Sequence, residues 1–208
     1  MSEFKNALGE NKKFLLLALV LLAVCALVVF SLQSGKYPSG TLIIDKGKTY
    51  SAAERVLDEK YDYSIIVSTV YGDIFIDLYE KEAPDNVNSL LFLISKRYYE
   101  GLTFHKVVKD FVIQAGDTKG DGSGDPGYTV KKENLVDFND YDVGMANASQ
   151  FFIVLPNSNK QKFNGEYTLV GKVTKGFAVV DSIAKVEVNE DYKPVNDVII
   201  KSILIQED

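Results

Sequence analysis

The sequence predicts a mainly β fold, a closed sheet capped by two helices, carried behind one N-terminal transmembrane helix. Three observations predict it. Seven short segments rich in β-branched and aromatic residues are spread between residues 64 and 205. Two further segments carry helical spacing or a helix-start signal. One uncharged run near the start is about as long as the ~30 Å hydrocarbon core of a bilayer requires. With 208 residues, 46% of them hydrophobic, the chain has material for one domain plus an extension.

The uncharged run is Phe14 to Leu32, FLLLALVLLAVCALVVFSL, nineteen residues long. It is read as a transmembrane helix over residues 14–32, behind a short tail of residues 1–13. A cleaved signal peptide is one alternative, but the run is long for that and no A-x-A site follows. A lipid-attachment box ending at Cys25 is another, but the bulky Val24 precedes the cysteine. Cys25 is then a lipid-facing residue. Lys12 and Lys13 directly before the span tip the orientation. The expectation is a single-pass protein of the cell membrane with a cytoplasmic N-terminus and an extracytoplasmic domain.

Residues 33–62 read as a linker. Ser34, Gly35, Pro38, Ser39 and Gly40 favour a flexible exit. Ser51-Ala52-Ala53-Glu54 has the form of a capping box, which predicts a short helix through about Lys60. The domain is expected over residues 63–208. Ser64–Val70 and Asp73–Tyr79 form a hairpin around Tyr71-Gly72, with Ile74, Ile76 and Leu78 on one face. Pro84 suits a first helical turn and Asp85 complements the helix dipole; Val87, Leu90, Leu91 and Ile94 then fall on one helical face. Phe104–Val108, Phe111–Ala115, Ser149–Leu155, Thr168–Val173 and Asp197–Ile205 read as strands, and Phe177–Ile183 as a second helix after Gly176.

Composition excludes several chemistries. A formal charge of −6, with no basic run longer than two residues, opposes nucleic-acid binding. One cysteine and one histidine exclude Cys-based and multi-histidine metal sites. The histidine has no G-x-S-x-G elbow to serve. The loop GDTKGDGSGDPG tempts a calcium reading. Aligned from Asp117, however, it places Lys119 and Tyr128 where oxygen ligands of another kind belong. It also lacks the G-K-[ST] ending of a phosphate loop, so its glycines are read as turn formers. No metal and no cofactor is expected. Asn147-Ala148-Ser149 is a formal glycosylation sequon, discounted because it falls in an expected site wall.

GDIFIDLYEKEAPDNV, YYEGLTFHKVVKDFVIQAGD, GDGSGDPGY, MANASQFFI, FNGEYTLVGKV and KPVNDVII occur in an order that resembles cyclophilin-type peptidyl-prolyl cis-trans isomerases, particularly the bacterial kind. The resemblance spans about Tyr63 to Asp208. It implies a closed eight-stranded antiparallel β-barrel capped by two α-helices. It implies a prolyl isomerase, and the membrane run adds an expected role in folding exported proteins. Residue by residue, the cationic donor falls on Lys106, its polar partner on Gln114, and the proline pocket on Phe111, Val112, Phe152 and Phe163, with Tyr167 at the rim. Phe111 is counted with Lys106 and Gln114 as catalytic. Ala146 and Asn147 match the strand that holds substrate backbone, and His105 matches a structural position.

Five departures from the family pattern stand out. Lys106 replaces the usual arginine, so a flexible point charge replaces a planar fork of donors. Ala148 joins Ser149 directly where relatives have several Gly- and Asn-rich residues. Lys162 stands where a tryptophan is common, which implies weak binding of a cyclosporin-like inhibitor. Ala115 replaces a glycine, and Tyr167 a histidine. The expected partners are unfolded or proline-containing polypeptides. The alternative is a low-activity or inactive module that binds such peptides without turnover.

Overall fold

A computed structural model describes residues 48–208. The transmembrane run, Cys25 and the Gly/Ser-rich part of the linker lie outside the described residues. Among the described residues no helix is long and apolar enough to cross a membrane.

The order of elements is β1 Tyr63–Thr69, β2 Gly72–Leu78, α1 Pro84–Ser95, β3 Phe104–Val108, β4 Val112–Ala115, β5 Asp142–Met145, β6 Phe151–Val154, a 3₁₀ turn Lys160–Lys162, β7 Thr168–Lys175, α2 Phe177–Ile183 and β8 Ile200–Glu207. The strands form one antiparallel sheet in the order β3-β4-β6-β5-β7-β2-β1-β8. The β1–β2 turn is the pair Val70-Tyr71, one residue earlier than the sequence suggests. Gly72 follows it at φ 127°, where a side chain is strained, and the Thr69 hydroxyl donates to Gly72 O at 2.8 Å.

The sheet is curled but not closed, which corrects the expected closed barrel. The end strands β3 and β8 share no ladder. The backbone beside them bridges only at Thr103 and Ile199. The seam has other partners: Phe104 N–H donates to Val198 O at 2.9 Å and Val107 N–H to Tyr192 O at 2.8 Å. Irregular chain therefore satisfies the backbone groups that a closing ladder would have used.

The core fills the concave side of the sheet. Period-two alternation buries Ile65 and Val67 of β1 and Ile74, Ile76 and Leu78 of β2. Helix α1 covers one end. Its first free N–H groups are met from outside the helix: the Glu133 carboxylate accepts from Asp85 N–H at 3.1 Å and from Asn86 N–H at 2.9 Å. An acid at that end also complements the dipole.

The predicted short helix over residues 51–60 does not form; the segment is extended or turning. Asn88 Oδ1 accepts from Val56 N–H at 2.8 Å and Leu57 N–H at 3.0 Å, and its amide donates to Glu54 O at 3.1 Å. Leu57 is 5% exposed, a burial worth about 1.5–3 kcal/mol. Those tertiary contacts outweigh a two-turn helix, whose nucleation is unfavourable at that length. The strap also explains why α1 is buried beyond its predicted stripe: Tyr50 meets Phe92 edge-on at 5.1 Å.

Candidate active site

The site lies on the convex face of the sheet, opposite the core. One residue sets this up. The register of β3 against β4 pairs Phe104 with Ala115 but Lys106 with Gln114, so His105 is a β-bulge. In an unbroken strand Phe104 and Lys106 would share a face. The bulge lets Phe104 and Val107 enter the core while Lys106 points outward. A row then crosses the sheet in register: Lys106, Gln114, Phe152, Gly144, Leu169. The neighbouring row, Val107, Ile113, Ile153 and Val143, packs in the core.

An aromatic cluster forms the floor of a cleft of about 260 Å³. Phe163 stacks on Phe111 with ring centroids 4.8 Å apart and on Phe152 at 5.4 Å. Tyr167 meets Phe152 edge-on at 5.2 Å. Phe152 and Phe163 are each 3% exposed, and Val112 is buried beside them. Behind them stands Phe138, 5.8 Å from Phe152 and 5.6 Å from Phe163. Gly144 makes room for this cluster: a Cβ there would run into the rings of Phe152 and Phe138. The 3₁₀ turn brings Phe163 into place through its N–H bond to Lys160 O at 2.9 Å.

Gln114 has a fixed orientation. Gln150, buried next to it, donates its amide to Gly122 O at 3.1 Å and Gly124 O at 2.7 Å. Gln150 Oε1 is therefore an acceptor, and Gln114 Nε2 donates to it at 2.8 Å. That leaves Gln114 Oε1 as the end of the amide that can accept from a substrate N–H or from the ammonium across the strand pair. The Lys106 ammonium has no ion pair or hydrogen bond among the described residues.

Eight of the nine residues the sequence singled out line this cleft: Lys106, Phe111, Val112, Gln114, Ala146, Phe152, Phe163 and Tyr167. Asn147 does not. Its Oδ1 accepts from Ser149 N–H at 2.9 Å and Gln150 N–H at 2.7 Å, and its amide donates to Gly124 O at 3.2 Å. The shortened Ala148-Ser149 connection is thus a built turn. Ala148, Ser149 and Gln150 are buried, with Ser89 Oγ donating to Ala148 O at 2.8 Å and the Tyr99 hydroxyl to Ser149 O at 2.9 Å. Asn147 faces a second cavity of about 400 Å³, which shares Ala146 and Tyr167 with the cleft.

Lys162 also lines the cleft, its ammonium 5.6 Å from the Phe111 ring centroid. His105, under the rim, is 5% exposed, and neither ring nitrogen has a hydrogen-bond partner among the described residues. Burial pushes its pKa below the ordinary imidazole value, with the Asp117 carboxylate pulling the other way. In the Gly-rich loop, the Asp117 carboxylate accepts from Lys119 N–H at 2.9 Å and Asp121 N–H at 2.8 Å, so turn backbone holds it. Among the described residues no group of three acidic, His or Cys side chains converges as a metal site would require.

Sequence reasoning missed Phe138, Gly144 and Gln150. Phe138 sits in an irregular stretch between acidic and amide residues, Asp137, Asn139 and Asp140, so no periodicity marks it. Gly144 and Gln150 act only through residues brought beside them by the sheet. The site's chemistry is that of a grip and a charge. Stacked rings offer an apolar seat, and an amide and an ammonium stand beside it, with no nucleophile activated by a base.

Known proteins resemble this chain over the same region. The family model described as "Cyclophilin type peptidyl-prolyl cis-trans isomerase/CLD" matches residues 64–205. The peptidyl-prolyl cis-trans isomerase-like 3 protein of Gallus gallus is 35% identical over 156 residues, covering 68% of this chain and 95% of that protein. The isomerase-like 1 protein of Homo sapiens is 36% identical over 152 residues, covering 67% and 90%. A crystal structure of a Cryptosporidium parvum cyclophilin-type peptidyl-prolyl cis-trans isomerase superposes with a TM-score of 0.66 at 30% identity, covering 71% of this chain and 99% of that one. A second structure of that protein, in the presence of the dipeptide Ala-Pro, gives 0.65 at 31% identity, covering 70% and 99%.

Proposed function

The chain belongs to the cyclophilin-type peptidyl-prolyl cis-trans isomerase family, and from that premise we propose that its aromatic cleft isomerises Xaa-Pro peptide bonds. The observation that carries the reading is the row Lys106–Gln114–Phe152, in register across three strands and opening on one cleft. The uncatalysed barrier is about 18–20 kcal/mol because amide resonance resists twisting. Phe111, Phe152 and Phe163 seat the prolyl ring. Gln114 Oε1 and the backbone at Ala146 hold the chain on either side. As the C–N bond twists, resonance is lost and charge redistributes over the imide, and the Lys106 ammonium stabilises the altered charge. A donor fixed where charge develops lowers a barrier without any covalent step.

The finer assignment is part of the same proposal. The uncharged run at residues 14–32 supports a bacterial-like, single-pass membrane protein whose domain faces outward and assists newly exported chains. Lys162 at the cleft supports weak binding of a cyclosporin-like inhibitor.

The test is exchange kinetics on an Ala-Pro peptide with the intact chain in detergent or lipid. Wild type accelerates exchange; Lys106→Ala is slower by about tenfold, ~1.4 kcal/mol of barrier, and Lys106→Arg equals or exceeds wild type. Equal rates for wild type and Lys106→Ala remove Lys106 from the mechanism. A binding module without turnover is the second reading, favoured by the exposed Lys106, unpartnered among the described residues, a flexible point charge rather than a planar fork of donors. It predicts saturable peptide binding with exchange no faster than buffer.

A further inference from the structure

We propose that Lys162 selects proline segments that carry an acidic side chain next to the proline, a specificity that rests on the prolyl-cleft reading above. Lys106 and Lys162 both line the cleft, and no carboxylate does. This is not a general property of the surrounding surface, because the chain carries a formal charge of −6. Nearby lysines are neutralised: Lys160 pairs with Asp140 at 2.6 Å and Lys132 with Glu166 at 3.5 Å. Lys106 and Lys162 have no carboxylate within 4.0 Å among the described residues. The cleft therefore holds two uncompensated positive charges on an acidic protein.

The position of Lys162 gives that charge a target. It is the last residue of the 3₁₀ turn, and the next residue, Phe163, is part of the floor. Its ammonium lies over the face of Phe111, a wall of the prolyl seat, at 5.6 Å from the ring centroid. Successive Cα atoms are about 3.8 Å apart, so the side chain flanking a seated proline falls within reach of a lysine at the cleft wall. A carboxylate there meets a cation already held over an aromatic ring. An ammonium there meets a like charge.

The experiment compares peptides of one length with Glu, Ala or Lys immediately before the proline, and a second set varied immediately after it. Affinity and exchange rate are measured for the intact chain. Wild type binds the better-placed Glu peptide about two- to fivefold more tightly than its Ala counterpart, the range of a partly exposed ion pair. High salt shrinks the ratio. Lys162→Gln brings it to about one, and Lys162→Glu reverses it in favour of the Lys peptide. A ratio unchanged in Lys162→Gln, or a wild-type ratio of one in both sets, overturns the proposal; matching melting temperatures show that both variants are folded. The two readings fail separately. Binding without charge preference removes only the specificity. A preserved preference with exchange no faster than buffer removes only the isomerase activity.

Discussion

Phe152 and Phe163, on the floor of the cleft, are each 3% exposed and are held by stacking against Phe111 and Phe138. Lys106, on the rim of the same cleft, is exposed and touches no partner among the described residues. The floor is a packed extension of the sheet, so its geometry is fixed before any ligand arrives. The rim is a flexible charge that must be ordered by what binds. The cleft thus pairs a packed apolar floor with an exposed charge that has no partner among the described residues. Its shape recognition should therefore be robust and its electrostatic contribution sensitive to salt and to substitution.

The largest effect expected is on the floor. Phe152→Ala removes a ring shared by three aromatic neighbours, Phe138, Phe163 and Tyr167, and should cost about 3–5 kcal/mol of stability, read from denaturant unfolding, with loss of prolyl peptide binding. A small cost would mean the rings pack loosely, and the contrast with the rim would collapse. Next comes the residue that joins the two regions. Gln150→Ala leaves Gly122 O, Gly124 O and Gln114 Nε2 without their partner. It should cost about 1–3 kcal/mol. It should also slow exchange and weaken peptide binding modestly, because Gln114 loses the orientation that presents Oε1 to the substrate while the floor does not move.

The smallest effect is at His105, whose bulge turns Lys106 outward. Its folded pKa lies below the ordinary value of 6.5, so the folded state binds fewer protons than the unfolded state between the two values. Stability is fully present above about pH 6.5 and is lost as pH falls toward the folded value. The melting temperature should drop over that window in wild type and drop less in His105→Asn. No difference between the two would show that His105 is not buried neutral.

Much of this was legible in the chain. The β1–β2 hairpin, the α1 stripe, β3 and α2 follow from alternation, from the i, i+3, i+4 spacing and from Pro84, because each is a local property of consecutive residues. Strand β5 was not, since DVGM is four residues between acidic turns and carries one β-branched residue. The stretch from Ser51 to about Lys60 reads as a helix because its capping box is local, while its real partner, Asn88, is thirty or more residues away.

By itself, then, the sequence determined which residues are apolar, where the regular elements lie, and that Lys106, Gln114, Phe111 and Phe152 belong to one motif order. Only the tertiary structure decided that the sheet stays open, that a bulge at His105 puts Lys106 on the cleft side, that Asn147 is used up in a turn, and that Phe138, Gly144 and Gln150 complete the site. The physical reason is range. Periodicity and turn chemistry act within a few residues and can be read along the chain. Register, ring stacking and hydrogen-bond exchange between distant strands exist only once the sheet has assembled.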